Sequence, residues 1–171
     1  MRLFHVSEEA NISIFKPRKP LRDDLDKELG LVWALNERCL PNYFTPRDCP
    51  RVTYHAAEHT TGEDIDRFFS SHSRHCVAIE HAWYEKMRKT RLFLYEFDPA
   101  NFYLQDLCAG YYVSEQVERP ISVTAVDNLF DALFDRGVEV RILDRLWPLA
   151  DAVKESTLYW SLCRMRNANR A

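Results

Sequence analysis

Apolar and polar positions alternate in "RLFHVS", so residues 2–7 are expected to form a strand that carries His5 among apolar neighbours. "ISIFKPRKP" is a short apolar piece stopped by Pro17 and Pro20. The charged stretch "LRDDLDKELG" ends on Gly30 and suits either a loop or a short helix closed by a glycine cap, after which "LVWAL" (31–35) reads as a buried strand. Three prolines, Pro41, Pro46 and Pro50, limit "NERCLPNYFTPRDCP" to loops and a turn of helix, and "RVTYHA" returns to strand. "TTGEDIDRFFSS" has the marks of a helix start, with Thr60 or Thr61 as cap and Glu63 and Asp64 in the first turn. Val77, Ile79, Trp83 and Met87 combine helical spacing with a strand-like beginning, and "VAIEHAWYEKMRKT" is expected to be helical.

The second half is richer in β-branched and aromatic residues. "RLFLYEFD" (91–98), "FYLQD" (102–106), "YYVSEQV" (111–117) and "ISVTAV" (121–126) are expected strands, in a meander or a small two-sheet body. "VDNLFDALFDRG" places Leu129, Phe130, Leu133 and Phe134 on one face of a helix that Gly137 ends. "VEVRIL" is a further strand, "LWPLADAVKES" a further helical piece, and "LYWSLCRMR" a last strand with a basic end. The sum is an α+β chain, one domain over residues 1–171, with mostly antiparallel central β-sheets and a few flanking helices.

Composition narrows the function classes. A 46% hydrophobic share with 29% charged residues is that of an ordinary globular chain, and 171 residues suffice for one sizeable core. The formal net charge of −3 removes the general basic field of a duplex-binding protein. Five widely spaced cysteines, with no C-x-x-C and no signal peptide, lead to the expectation of a reducing, cytoplasmic compartment. No apolar run reaches the length of a membrane span. The four glycines are too scattered to form a G-x-G-x-x-G turn, a Walker loop or a G-x-S-x-G elbow, so a nucleotide would have to be held without a glycine-rich phosphate loop.

Several short patterns carry candidate chemistry. "HAAEH" matches H-x-x-E-H, in which two histidines on one helix face ligate zinc and the glutamate acts as base. Here His55 closes a strand-like run and the helix signals follow His59, so the two imidazoles are not expected to share a helical face, and no metal is expected. His72, His75 and Cys76 have the density of ligands but no partner pair at finger spacing. "PRDCPR" holds Arg47 and Arg51 in a stiff loop that suits a phosphate or carboxylate, or alternatively an internal pairing with Asp48. Glu80 beside Trp83 is either an acid against an aromatic wall or part of a core.

Taken in order, "LFHVS", "PRKP", "LVWAL", "RLFLYEFDP" and "AGYYVSEQVERPISVTAV" resemble the ADP-ribosyltransferase-like fold, most closely its rifamycin ADP-ribosyltransferase type. The resemblance implies NAD as substrate, His5 positioning the nicotinamide ribose, Ser7 as the hydroxyl after it, and Trp33 stacking on nicotinamide. It implies Glu115 as the catalytic acid, with Asp98 or Asp106 as the acid in variants where it comes earlier. Arg18 or Arg51 would neutralise the pyrophosphate. Trp33 stands where a tyrosine is usual, and Val6 where relatives have glycine. Cleaving the bond to a cationic nicotinamide creates an oxocarbenium-like sugar, which a fixed carboxylate stabilises as its charge develops.

The implied activity is ADP-ribosyl transfer or NAD glycohydrolysis, or the use of the same cleft on a 2′-phosphorylated RNA end. The alternative is a non-catalytic nucleotide- or ligand-binding module of the same fold, and a zinc-dependent hydrolase is third. The expected partner is a small-molecule nucleotide, with neither membrane nor duplex nucleic acid. Over nearly its full length, through "PRDCPRV", "AGYYVS" and "RMRNA", the chain also resembles a family of small bacterial proteins whose function is unknown.

Overall fold

A computed structural model describes residues 1–19, 30–70 and 72–170. The stretch "LRDDLDKELG" lies outside the described residues apart from Gly30. The chain divides into two compact units, Met1–Leu40 with Leu92–Val126, and Pro41–Arg91 with Asp127–Ala171.

The first unit is built on a six-stranded antiparallel sheet. Its strands are β1 (Leu3–Ser7), β2 (Val32–Asn36), β5 (Leu92–Phe97), β6 (Tyr103–Asp106), β7 (Tyr111–Ser114) and β8 (Ser122–Val126), in the order β6-β7-β2-β1-β5-β8. Side chains alternate across a strand, and directly paired residues share a face. The pairs Leu3↔Phe97, His5↔Tyr95, Leu3↔Asn36, Ala34↔Tyr112 and Val32↔Ser114 therefore define one face. The pairs Phe4↔Leu35, Trp33↔Val113 and Tyr103↔Val113 define the other. On the first face Leu3, Val32, Ala34 and Phe97 form a core that Phe15 and Phe102 complete. Burying a side chain such as Leu3 or Phe97 stabilises by roughly 1.5–3 kcal/mol.

The segment after β1 is strapped over that first face. Phe15 exchanges backbone hydrogen bonds with Glu118 at 2.8 and 2.9 Å, and its ring meets Tyr95 and Phe97 edge-on. The Tyr95 hydroxyl donates to the Glu9 carbonyl at 2.6 Å and accepts from the Ile12 amide at 3.1 Å. At the tight turn before β7, Gly110 has φ +67°, and a Cβ there would lie 2.6 Å from the Cys39 sulfur, so glycine is required.

The second unit holds a four-stranded sheet in the order β10-β3-β4-β9, from β3 (Arg51–His55), β4 (His75–Glu80), β9 (Glu139–Leu143) and β10 (Tyr159–Cys163). Only β4 and β9 run parallel. Four α-helices belong to this unit among the described residues: α1 (Gly62–Phe68), α2 (Tyr84–Lys89), α3 (Leu129–Phe134) and α4 (Trp147–Lys154). Thr61 caps α1 as the sequence suggests, its hydroxyl accepting from the Asp64 amide at 3.3 Å. Val52, Tyr54, Cys76 and Ala78 on one sheet face pack with Phe68, Phe69, Leu146, Ala150 and Val153. The architecture is α+β with mostly antiparallel sheets.

Three sequence expectations are corrected. Residues 77–80 are strand, because Cys76–Ile79 is a continuous apolar run paired on both sides, to β3 and to β9; the helix starts only at Tyr84. The strand in "YYVSEQV" ends at Ser114, where the Ser114 hydroxyl accepts from the Gln116 amide at 3.1 Å and turns the chain. On α3, Leu129 and Leu133 are buried, whereas Phe134 is 58% exposed, since it sits at the last turn before Gly137 (φ +67°) redirects the backbone.

Candidate functional site

Strands β1, β2 and β7 are consecutive neighbours in the six-stranded sheet, so the strands bearing His5, Trp33 and the Glu115 region lie side by side. His5 projects half-buried onto the face covered by the strap. Its Nδ1 lies 3.1 Å from the Trp33 carbonyl oxygen, and its ring centroid is 4.9 Å from that of Phe15. A polar ring held by a backbone oxygen and an aromatic neighbour has a fixed pose, which a positioning role requires.

The Trp33 ring leaves the opposite face. It meets Tyr111 edge-on at 5.3 Å, beside its cross-strand partner Val113. Sheet alternation therefore brings the backbone of Trp33 to His5 and takes its indole away. Glu115, just past β7, is exposed and accepts a hydrogen bond at 3.1 Å from the Tyr103 hydroxyl, and Tyr103 belongs to Trp33's face. Burial and the adjoining Glu115 carboxylate raise the Tyr103 phenol above its ordinary range. His5 on one face is thus not joined there by the Trp33 ring or by the Tyr103-bound Glu115.

The remaining candidates have local duties. The Ser7 hydroxyl accepts from the Glu9 amide at 3.1 Å, a turn that ends β1. Arg18 is exposed and pairs its backbone with Leu31 on both sides, at 3.1 and 2.9 Å. Asp98 caps a 3-10 turn by accepting from Ala100, and Asp106 accepts from Ala109, both at 3.0 Å. Arg51 belongs to the second unit and is only 3% exposed. Its guanidinium donates to the carbonyls of Asn42 at 2.7 Å and Cys49 at 3.1 Å, and lies 4.6 Å from the Tyr43 ring centroid. Asp48, which the sequence offers as a partner to Arg47 or Arg51, approaches Arg164 at 3.9 Å.

The histidine patterns also resolve. His55 lies in β3 while His59 is on the following loop, so the two share no helix; between them the Tyr159 ring stands 5.6 Å from His55 and 5.0 Å from His59. His75 Nε2 lies 2.6 Å from Asn42 Oδ1, and alternation puts Cys76 on the other face. No three His, Cys, Asp or Glu side chains among the described residues are grouped to hold a metal. Glu80 is buried and accepts from the amides of Leu146 at 3.3 Å and Asn169 at 3.0 Å, tying the start of α4 to the last stretch of the chain. It is a clip, and Trp83 lies beyond it in a 3-10 turn.

One acid on the His5 face escaped the sequence reading. Glu118 is 6% exposed, and its carboxylate accepts from the buried Ser114 hydroxyl at 2.5 Å. Ser114 pairs with Val32 of the His5-face core, and Glu118's backbone is bonded to Phe15, which touches His5. The one sequence signal of Glu118 is the serine four positions earlier, which strand periodicity does not single out because the turn after Ser114 resets the alternation.

The fold and site define an α+β protein with a half-buried histidine and a buried acid on one face of an antiparallel sheet. The chain belongs to a family of unknown function, DUF6886, whose pattern spans residues 4–168. No curated protein and no solved structure matches it. No helix among the described residues is long and apolar enough to cross a membrane.

Proposed function

We propose that the first unit binds a nucleotide, with NAD or a related ADP-ribosyl compound as the first candidate, at the strapped face beside His5. The carrying observation is the pose of His5, fixed by the Trp33 carbonyl at 3.1 Å and by the Phe15 ring. The order of strands bearing the histidine, the aromatic residue and the acid, which the ADP-ribosyltransferase resemblance rests on, becomes spatial adjacency in β1, β2 and β7. In the catalytic form of this reading, His5 orients the ribose and an acid near the end of β7 stabilises the oxocarbenium-like sugar as the nicotinamide bond breaks. Glu115 is the acid the resemblance selects, whereas the geometry favours Glu118, the buried acid on the His5 face. Arg18 and Ser7, near the ends of the strap and of β1, contribute to holding the ligand.

A second reading, a nucleotide-binding module without turnover, is favoured by the hydrogen bond that ties Glu115 to Tyr103 on the face away from His5. One experiment separates the two. Purified protein is incubated with NAD, free nicotinamide is measured by chromatography, and the thermal midpoint is recorded. A midpoint shift with nicotinamide release supports the enzyme, a shift alone supports the module, and neither overturns both.

A further inference from the structure

The six-stranded sheet ends on β8, which pairs with β5 on one side and has no strand on the other among the described residues. Residues Ser122, Val123, Thr124 and Ala125 are all exposed, Val123 at 49%, and Ile121 just before them is 65% exposed. Along an edge strand every second residue turns its backbone N–H and C=O outward, so β8 offers donors and acceptors to a further strand. The other sheet edges are protected. β6 is broken by a bulge between Leu104 and Asp106, β9 carries Glu139 and Arg141, and β10 is exposed only at Trp160. Between Arg119 and Asp127 the chain carries no charge, and Val123, Thr124 and Val126 are β-branched, the residue type that suits a paired strand.

The edge is also held in place beforehand. The Arg2 guanidinium donates to both Glu96 oxygens, at 2.7 and 2.9 Å, and the Ser122 hydroxyl donates to Glu96 Oε2 at 3.1 Å. The start of β8 is thus pinned to β5 by side chains as well as by the ladder, which reduces the ordering cost of association. Its flanks carry opposite charges, the exposed Arg119 ahead of the strand and the exposed Asp127 directly after it. Asp127 Oδ1 lies 2.6 Å from Arg91 Nε, and a carboxylate has two oxygens with which to accept from a second guanidinium as well.

We infer that β8 pairs with β8 of a second copy of this chain, antiparallel and centred on Val123, joining two six-stranded sheets edge to edge. A strand paired antiparallel with itself is isologous, so each end of one copy meets the opposite end of the other. About Val123, that residue lies opposite its own copy, Ile121 opposite Ala125 and Ser122 opposite Thr124. Apolar side chains then meet apolar ones and hydroxyls meet hydroxyls, both favourable cross-strand pairs. The same register brings Arg119 of each copy to Asp127 of the other, and no like charges are set opposite each other. A strand of another protein would gain the backbone bonds, but only a second copy matches both flanks by symmetry. One short strand makes a small interface, so the dimer belongs to the weak class. The inference does not rest on the nucleotide reading.

Sedimentation equilibrium of the full chain from about 1 μM to 1 mM, the range of weak association, is expected to show monomer and dimer in exchange. Arg119→Asp sets acid against acid and Asp127→Arg sets guanidinium against guanidinium, so each variant alone is expected to dimerise about tenfold more weakly. Mixed in equal amounts, the two are expected to recover a dimer of one copy each, because both flanks then oppose unlike charges; a dye on one variant reads the mixed species. A purely structural part for either residue would not be restored by mixing. Val123→Lys, at the centre of the pairing, is expected to stay monomeric across the range, with circular dichroism like that of wild type. A wild-type chain that is monomeric at the highest concentration overturns the inference, as does a dimer that Val123→Lys leaves intact. Failure of the mixed variants to recover a dimer overturns the pairing about Val123. Should either charge variant fail to fold, Val123→Lys decides alone.

Discussion

His5 reaches the backbone of Trp33 and not its ring: Nδ1 stands 3.1 Å from the carbonyl oxygen, while the indole lies across the sheet against Tyr111. If the first unit binds NAD as proposed, the two residues contribute unequally. His5→Ala is expected to reduce NAD affinity about tenfold or more, as loss of one oriented hydrogen bond does. Trp33→Phe is expected to leave affinity within about twofold, since the ring faces away. Calorimetric titration of the two variants with NAD checks both values.

The acids near the end of β7 separate in the same way. If NAD is cleaved, Glu118→Gln, on the His5 face, is expected to lower turnover at least about a hundredfold, in keeping with the loss of an electrostatic stabiliser. Turnover in Glu115→Gln is then expected to stay close to wild type, because its carboxylate is bound to Tyr103 on the other face. Nicotinamide release under saturating NAD is the measurement, and the opposite ranking would return the role to Glu115.

Asp64 accepts from the Thr157 hydroxyl at 2.5 Å and amide at 2.7 Å, and these bonds hold its carboxyl below the usual carboxylate range. Its stabilising contribution is complete above the unfolded value of about 3.9 and is lost as pH falls through the lower folded value. Denaturant midpoints measured from neutral pH down to strongly acidic buffer are expected to fall less steeply in Asp64→Asn than in wild type.

Glu80 joins β4 to the start of α4 and to Asn169 through backbone amides. Removing it leaves the buried Leu146 N–H without an acceptor, so Glu80→Ala is expected to destabilise by about 3 kcal/mol, read from urea unfolding. Glu80→Gln, which keeps one acceptor oxygen, is expected to lose less.

Burial pushes the Cys39 thiol up to about 11 and those of Cys49 and Cys76 up to about 12; partial burial and Asp106 raise the Cys108 thiol as well, but Cys108 is exposed. Thiolate is the reactive form, so a disulfide reagent at mildly alkaline pH is expected to label Cys108 first in the native protein. Mass mapping after brief labelling checks the order. Early modification of Cys76 would mean that the second unit opens readily.

Much of the fold was legible because alternation and punctuation are local. "RLFHVS", "RVTYH" and "SVTAV" form strands, and Thr61 caps the helix it precedes. Cys76–Ile79 was misjudged because a buried apolar run carries neither period, and only its two strand partners decide it. The site was less legible. His5 and Trp33 were found as residues, but whether two side chains share a face depends on register between strands far apart in sequence. Glu118 depends on a bridge to Phe15 made by the strap, which no local pattern encodes.

Each unit is assembled from two stretches of chain, with Pro41–Arg91 intervening before the first is finished and Leu92–Val126 before the second. No single cut isolates one complete sheet from the strands of the other, and a ribosome that has made the first ninety or so residues has completed neither. Strands β1 and β2 must wait for β5 and β7, and β3 for β10, which makes synthesis order a constraint on this protein: its halves cannot be exchanged with other proteins as contiguous cassettes.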